Sequence, residues 1–311
     1  MPQEPLFQLS CLQFCQRTTR PWEQRRKTPR NPNRLPKITS GPFGTLTILF
    51  FFACQTVISL GGESPFLPED YESLRNLASG GDVRAQEDLG QRYLRGDGVE
   101  KDYKEAHRWI GKAVEQDDPK AQIHMAVLYL NGYGVDADPE KAKEWFQRSA
   151  RQGLPLGKTL LGNMYFHGMG TEADLEEAAY WYQKAAESGY AQAKLGLGNL
   201  YFVGKGVPLD QEKAIAWIKK AAQAGNAEAQ YTIGLAYSLG NFFDQDDDKA
   251  AEWFRQSAKQ GHPAAQHNLG KRYFHGEGLD QDQEKALKMI RKAAENGHAP
   301  AHEFLKDHPG K

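Results

Sequence analysis

A tyrosine returns every 36 residues, at Tyr93, Tyr129, Tyr165, Tyr201, Tyr237 and Tyr273, and this period limits the fold more tightly than anything else in the chain. Other columns keep the same step. A small residue stands at Ala85, Ala121, Gly157, Ala193, Ala229 and Ala265, and again at Ala301 in the tail. An apolar residue stands at Leu89, Met125, Leu161, Leu197, Ile233 and Leu269. A second aromatic column reads Trp109, Trp145, Trp181, Trp217 and Trp253, with Met289 in the last copy. So many columns in one register, without an insertion, define six units: 85–120, 121–156, 157–192, 193–228, 229–264 and 265–300. A unit this short cannot bury both of its apolar faces alone, so the six must share a core in series.

Each column has a physical reading. Ala85, Leu89 and Tyr93 are four residues apart and fall on one helical face. Gly90, Gly162, Gly198, Gly234 and Gly270 sit inside that helix, where glycine costs about 1 kcal/mol relative to alanine, so their recurrence implies a close helix–helix approach. Gly-x-Gly pairs (Gly96/Gly98, Gly132/Gly134, Gly168/Gly170, Gly204/Gly206, Gly276/Gly278) end the first helix. Asp102, Asp138, Asp174, Asp210, Asp246 and Asp282 each precede a fresh apolar period, the place of an N-cap worth roughly 1 kcal/mol. Pro139 directly after Asp138 fits the first position of a helix. Catalytic acids are the competing reading of these aspartates; capping explains their recurrence. Residues 69–79 match a second helix alone, and 301–306 the start of a first helix, as partial capping helices would.

The pattern A-x3-L-G-x2-Y-x2-G-x-G-V-x3-D, then K-A-x2-W and A-A-x2-G, resembles the Sel-one-like repeat, a relative of the tetratricopeptide repeat. Residues 193–225 and 265–297 are the clearest copies, and the resemblance covers residues 69–306. It implies an all-α, right-handed α/α solenoid of helix-turn-helix repeats, and family members that act chiefly as adaptors. Two departures stand out. The second repeat has Ala126 in place of the interior glycine, and the fifth reads GNFFDQDDDKA, losing its second glycine and gaining Phe242 and Phe243.

Charge and cysteine usage narrow the function. Residues 1–44 hold eight Lys/Arg against Glu4 and Glu23, which leaves 31 of the 39 basic and 38 of the 40 acidic residues in the remainder. An acidic body lacks the clustered cations that nucleic-acid binding requires. Cys11, Cys15 and Cys54 all precede the repeats, so no disulfide or thiolate–metal framework forms within them. The basic segment 1–44 shows no sustained apolar period and reads as disordered. The apolar run in residues 45–61 fits an export signal better than a full span of about 20 residues, with an uncleaved signal-anchor as the alternative. Basic residues before it and acidic ones after it favour repeats outside the cytoplasm, exported or membrane-anchored.

Helical geometry also locates a candidate partner surface. With about 100° per residue, positions 87, 91 and 94 lie opposite the Ala85–Leu89–Tyr93 face. In tetratricopeptide-like stacks that side lines the concave groove, a point carried by the resemblance. The column at 91 contains Gln91, Asn163, Asn199 and Lys271, and the column at 94 contains Phe166 and Phe202. Amides flanked by aromatics suit an extended peptide or protein segment. The competing reading makes the phenylalanines inter-repeat core and the amides solvated. Enzyme signals are weak. His298/His302 and His267/His275 lack a third ligand at motif spacing, and the Asp244–Asp248 cluster lacks the glycine and distal glutamate of an EF-hand. The Gly-x-Gly pairs join helices instead of following a strand, so they are not nucleotide loops. The expectation is a non-catalytic interaction scaffold without metal or cofactor; a cell-envelope enzyme or glycan-binding protein acting on wall material is the alternative.

Overall fold

The glycine and aspartate punctuation sets where each helix begins and ends in the computed structural model, which describes residues 70–308. The segments 1–44 and 45–61 lie outside the described residues. Among the described residues there are fourteen helices and no strand: α1 (Tyr71–Ser79), α2 (Val83–Arg95), α3 (Tyr103–Glu115), α4 (Pro119–Asn131), α5 (Pro139–Arg151), α6 (Pro155–His167), α7 (Leu175–Glu187), α8 (Ala191–Val203), α9 (Gln211–Gln223), α10 (Ala227–Leu239), α11 (Asp247–Lys259), α12 (Pro263–His275), α13 (Gln283–Glu295) and α14 (Ala299–Asp307). They divide into two units, one up to Trp181 and one from Tyr182. Within each unit helices pack chiefly on their neighbours in sequence: α1 to α6 in the first, α8 to α14 in the second. This nearest-neighbour packing is the hallmark of an α/α solenoid.

Every repeat closes its inter-helix loop in the same way. The first helix ends on a left-handed glycine, such as Gly96 at φ 79° or Gly132 at φ 71°, whose N–H returns to a carbonyl in the last turn. The loop then brings the aspartate back to the tyrosine: the N–H of Asp102, Asp138, Asp174, Asp210, Asp246 and Asp282 donates to the carbonyl of the tyrosine nine residues earlier, at 2.8–3.1 Å. The same aspartate side chains accept one or two N–H groups from the first turn of the following helix. In four repeats a lysine three residues on, Lys141, Lys213, Lys249 or Lys285, pairs with the aspartate. Its ammonium also lies 5.4–5.7 Å from the centre of the column tyrosine ring. For Asp138 and Asp210 the capped backbone N–H is the main cause that lowers the carboxyl below its usual range. For Asp246 and Asp282 the main cause is the lysine side chain.

The interior glycines sit where the two helices of a repeat touch. A Cβ on Gly90 would lie 2.6 Å from Ile110, on Gly198 2.7 Å from Ile218, and on Gly270 2.5 Å from Ile290. Ala126 fills the corresponding place in the second repeat and packs in one cluster with Phe146. The ends are closed by short helices. α1 supplies Leu74 and Ala78 to the core around Leu89 and Trp109, and α14 lays Ala301, Phe304 and Leu305 against Ile290 and Ala293.

The second glycine of the loop makes the contact between repeats. A Cβ on Gly134 would stand 2.1 Å from the Tyr103 carbonyl oxygen, on Gly170 2.2 Å from that of Pro139, and on Gly278 2.2 Å from that of Asp247. Gly98, at φ 68°, has nothing within 4 Å, because no complete repeat precedes it. This contrast separates backbone strain from steric exclusion. Alanine at either Gly98 or Gly134 carries the left-handed penalty of about 1–2 kcal/mol. Gly134→Ala adds an overpacking cost of about 2 kcal/mol or more. Urea unfolding followed by circular dichroism is expected to show Gly134→Ala clearly less stable than Gly98→Ala; equal losses would remove the inter-repeat contact from the account.

Candidate functional site

The columns at 87, 91 and 94 do not all face away from the partner second helices, as helical angle alone predicts: Leu94 shares a core cluster with Ala106 and Ile110, Leu195 with Ile218, and Tyr231 lies 5.8 Å from Phe254, so what the columns offer differs between repeats. In the unit up to Trp181, the face begins with a polar chain. Gln91 donates to Glu87 at 3.3 Å and accepts from the Arg95 guanidinium, and His124 Nδ1 lies 3.2 Å from Glu87 Oε1 without hydrogen-bond alignment. Burial alone would raise the Glu87 carboxyl, yet contact with His124, assisted by Lys120 and Gln91, outweighs it and holds the group below its usual range. Further along, Ile123, Val127 and Thr159 are buried.

The predicted groove residues therefore fall into two sets. Gln91 is only 5% exposed and Phe166 only 8%, so both are largely committed to packing within the protein. Asn163 is half-buried, one turn before Phe166 on α6. In the unit from Tyr182, Asn199 and Phe202 are half-buried one turn apart on α8, and Lys271 is exposed on α12. Leu235 and Tyr231 on α10 and Phe274 on α12 are half-buried members of the same columns. Ser238 turns inward, accepting from the buried Arg272, which also pairs with Asp247 at 3.0 Å. The unit from Tyr182 thus presents a half-buried amide, Asn199, and half-buried rings with one exposed column cation, Lys271. Among the described residues no three His, Cys, Asp or Glu side chains gather in a way that could hold a metal ion. No described helix is long and apolar enough to cross a membrane.

One feature of the repeats escaped the sequence reading. Gln86, Gln122, Gln230 and Gln266 are buried at the junction between one repeat's second helix and the next first helix. Gln86, Gln230 and Gln266 donate to the carbonyls of Ala78, Ala222 and Ala258 near the end of the preceding helix. Each of the four accepts from an amide thirty residues later: Gln116, Gln152, Gln260 and Asn296. The signal was there as two coupled columns. In the third and fourth repeats both members change together, to Lys158 with Ser188 and Lys194 with Ala224.

With this geometry in place, comparison with known proteins identifies the family. The Sel1 repeat model matches residues 83–118, 119–154, 155–190, 189–226, 227–262 and 263–298. The chain is a Sel1-repeat protein. In five of the six copies the family model opens two residues before the tyrosine-based count, at the first residue of the observed helix; the fourth opens at residue 189, two residues before its helix. A Sel1 repeat protein from Oxalobacter formigenes is similar over 72% of this chain and 99% of its own, with 31% identity and a TM-score of 0.65. The structure of c5321, a protective antigen of uropathogenic Escherichia coli strains with the same repeat fold, is 34% identical over 75% of this chain, with a TM-score of 0.64; the chain spans 50% of that protein's length. No curated protein matches the chain. Sel1-repeat proteins are generally non-catalytic scaffolds for protein interaction.

A half-buried histidine beside Phe166 is expected to give the Sel1 repeats a pH dependence. His167 packs its ring 4.9 Å from Phe166, and burial pushes the imidazole down to about 4 from its ordinary 6.5. His267, lowered to about 4 by burial and then by His298 and Lys271, acts in the same sense. Below 6.5 the unfolded chain takes up protons that the folded chain refuses, so stability falls as pH drops from about 6.5 to 4. At His167 this amounts to up to about 3 kcal/mol. Urea midpoints at neutral pH and near pH 4.5 are expected to differ markedly in wild type and less in His167→Asn; an unchanged difference would remove His167 as a cause.

Proposed function

We propose that this Sel1-repeat protein is a non-catalytic scaffold that captures an extended segment of a protein partner through first-helix amides, with Asn163 as the candidate contact in the unit up to Trp181 and Asn199 and Lys271 in the unit from Tyr182. The observation that carries the reading is the recurrence, on successive first helices, of an amide one turn before an aromatic ring, both half-buried at Asn199 and Phe202. Side-chain amides satisfy the backbone of an extended chain, and half-buried rings receive its side chains. Exposed Lys271 adds one cation, too few for capture of a C-terminal carboxylate by charge alone. The membership of a family whose members generally bind proteins supports the scaffold over an enzyme. We further propose that the repeats work outside the cytoplasm, exported or tethered through residues 45–61, from the charge asymmetry around that apolar run.

The test is a crosslinking pull-down of the tagged full-length protein from its own host, read by mass spectrometry. It runs beside an Asn163→Ala, Asn199→Ala, Lys271→Ala variant checked for folding by circular dichroism. The expected result is a protein partner that enriches with wild type and is reduced at least about tenfold with the folded variant. Capture that survives in the variant would move the site elsewhere. Enrichment of wall glycans without any protein would replace the scaffold reading with the glycan-binding one.

A further inference from the structure

The fifth repeat breaks the loop rule at the position that matters most for packing. Where Gly98, Gly134, Gly170, Gly206 and Gly278 stand in the other repeats, this one places Phe242, still at φ 67°. A positive φ is disfavoured for any residue with a Cβ, and bulky residues there are true outliers. Register puts this position against the start of the preceding second helix, here α9. In other repeats that approach leaves no room for a Cβ. Folding alone therefore favours glycine, yet the chain carries a phenylalanine that is 41% exposed.

Its surroundings are apolar and open. Leu239, three residues earlier at the end of α10, is 45% exposed, and Leu209, in the fourth-repeat loop that leads into α9, is 63% exposed. Phe202, at the end of α8, meets Phe242 edge-on with ring centres 6.1 Å apart. The adjoining Phe243 anchors the loop instead, stacked on Tyr237 at 4.6 Å with the Lys219 ammonium 5.4 Å from its ring centre. Beside this patch runs the acidic turn Asp244, Asp246, Asp247 and Asp248. Asp246 is paired with Lys249 and Asp247 with Arg272, which leaves the exposed Asp244 and Asp248 outside any ion pair among the described residues. Lys205 and Lys213, both exposed, are the nearest cations by sequence to Leu209.

We propose that Phe242, Leu239 and Leu209 form a second docking surface, which adjoins the amide columns at Phe202. Its occupant is a short segment of a partner protein with an aromatic or leucine anchor next to Lys or Arg. Clustered exposed aromatic and aliphatic side chains supply the anchor contact, and Asp244 and Asp248 select the basic flank. The proposal rests on the scaffold reading but not on Asn163, Asn199 or Lys271.

The probe is an array of short synthetic peptides with Phe, Trp or Leu anchors flanked by Lys/Arg or by Glu, titrated against the full-length protein by fluorescence anisotropy. Wild type is expected to bind basic-flanked members at least about tenfold more tightly than their acidic-flanked counterparts. Phe242→Gly, which restores the residue found in the other repeats, should abolish that binding while its melting temperature holds or rises. Asp244→Asn with Asp248→Asn should erase the preference for basic flanks. The Asn163→Ala, Asn199→Ala, Lys271→Ala variant should bind the array as wild type does, so failure of the amide columns and failure of this surface are read separately. Equal affinity in Phe242→Gly, no preference between flanks, or no binding by any member would overturn the proposal. So would sedimentation showing a wild-type dimer that Phe242→Gly makes monomeric, since the occupant would then be a second copy.

Discussion

The rest of the structure depends on how closely the loop of one repeat presses on the backbone of the repeat before it. At Gly134, Gly170 and Gly278 there is no space for a side chain against the carbonyls of Tyr103, Pro139 and Asp247. Such a contact involves backbone on both sides, so it cannot adjust by rotamer change, and it holds successive helical pairs in one register. The step from Tyr to Asp is bridged by the same nine-residue hydrogen-bonded loop in all six repeats, and in every repeat but the fifth, where Phe242 stands instead, that loop carries the glycine. A constant repeat of 36 residues without insertion is the sequence trace of this constraint.

Stability then comes from many small, repeated terms. Each aspartate cap contributes roughly 1 kcal/mol, and each buried amide pair adds a comparable hydrogen-bond increment while sparing a polar group from isolation. The amide pairs join the end of one repeat to the start of the next, from Ala78 through Gln86 to Gln116, so they reinforce the interfaces that a linear array needs. The third and fourth repeats lack both members of the pair.

The fold was legible because its determinants are periodic. Glycine, aspartate and tyrosine recur for reasons that are local and nearly independent of context: helix termination, capping and the face opposite a partner helix. The amide pairs were harder to read, since a glutamine column gains meaning only when set beside a second column thirty residues away. The candidate surface was partly legible. Helical angle alone places Gln91, Asn163, Asn199 and Lys271 on one face, but it does not say which of them neighbouring helices cover. Gln91 is spent on Glu87 and Arg95, and Phe166 is almost fully covered, whereas Asn199, Phe202 and Lys271 keep accessible surface. Phe242 was visible as a departure from the pattern; its left-handed backbone, which turns the departure into a cost, required coordinates.

The regular features of the Sel1-repeat stack hold it together, and the proposed binding face is built on positions they leave accessible. The most direct test of that claim places a photo-crosslinking amino acid at Asn199 on the proposed binding face, and in parallel at exposed Lys220 near the end of α9. Irradiation in the native host is expected to give a discrete protein adduct from position 199 and none of that mass from position 220. An equal adduct from both positions, or no protein adduct from Asn199, would contradict the assignment of this face to partner capture.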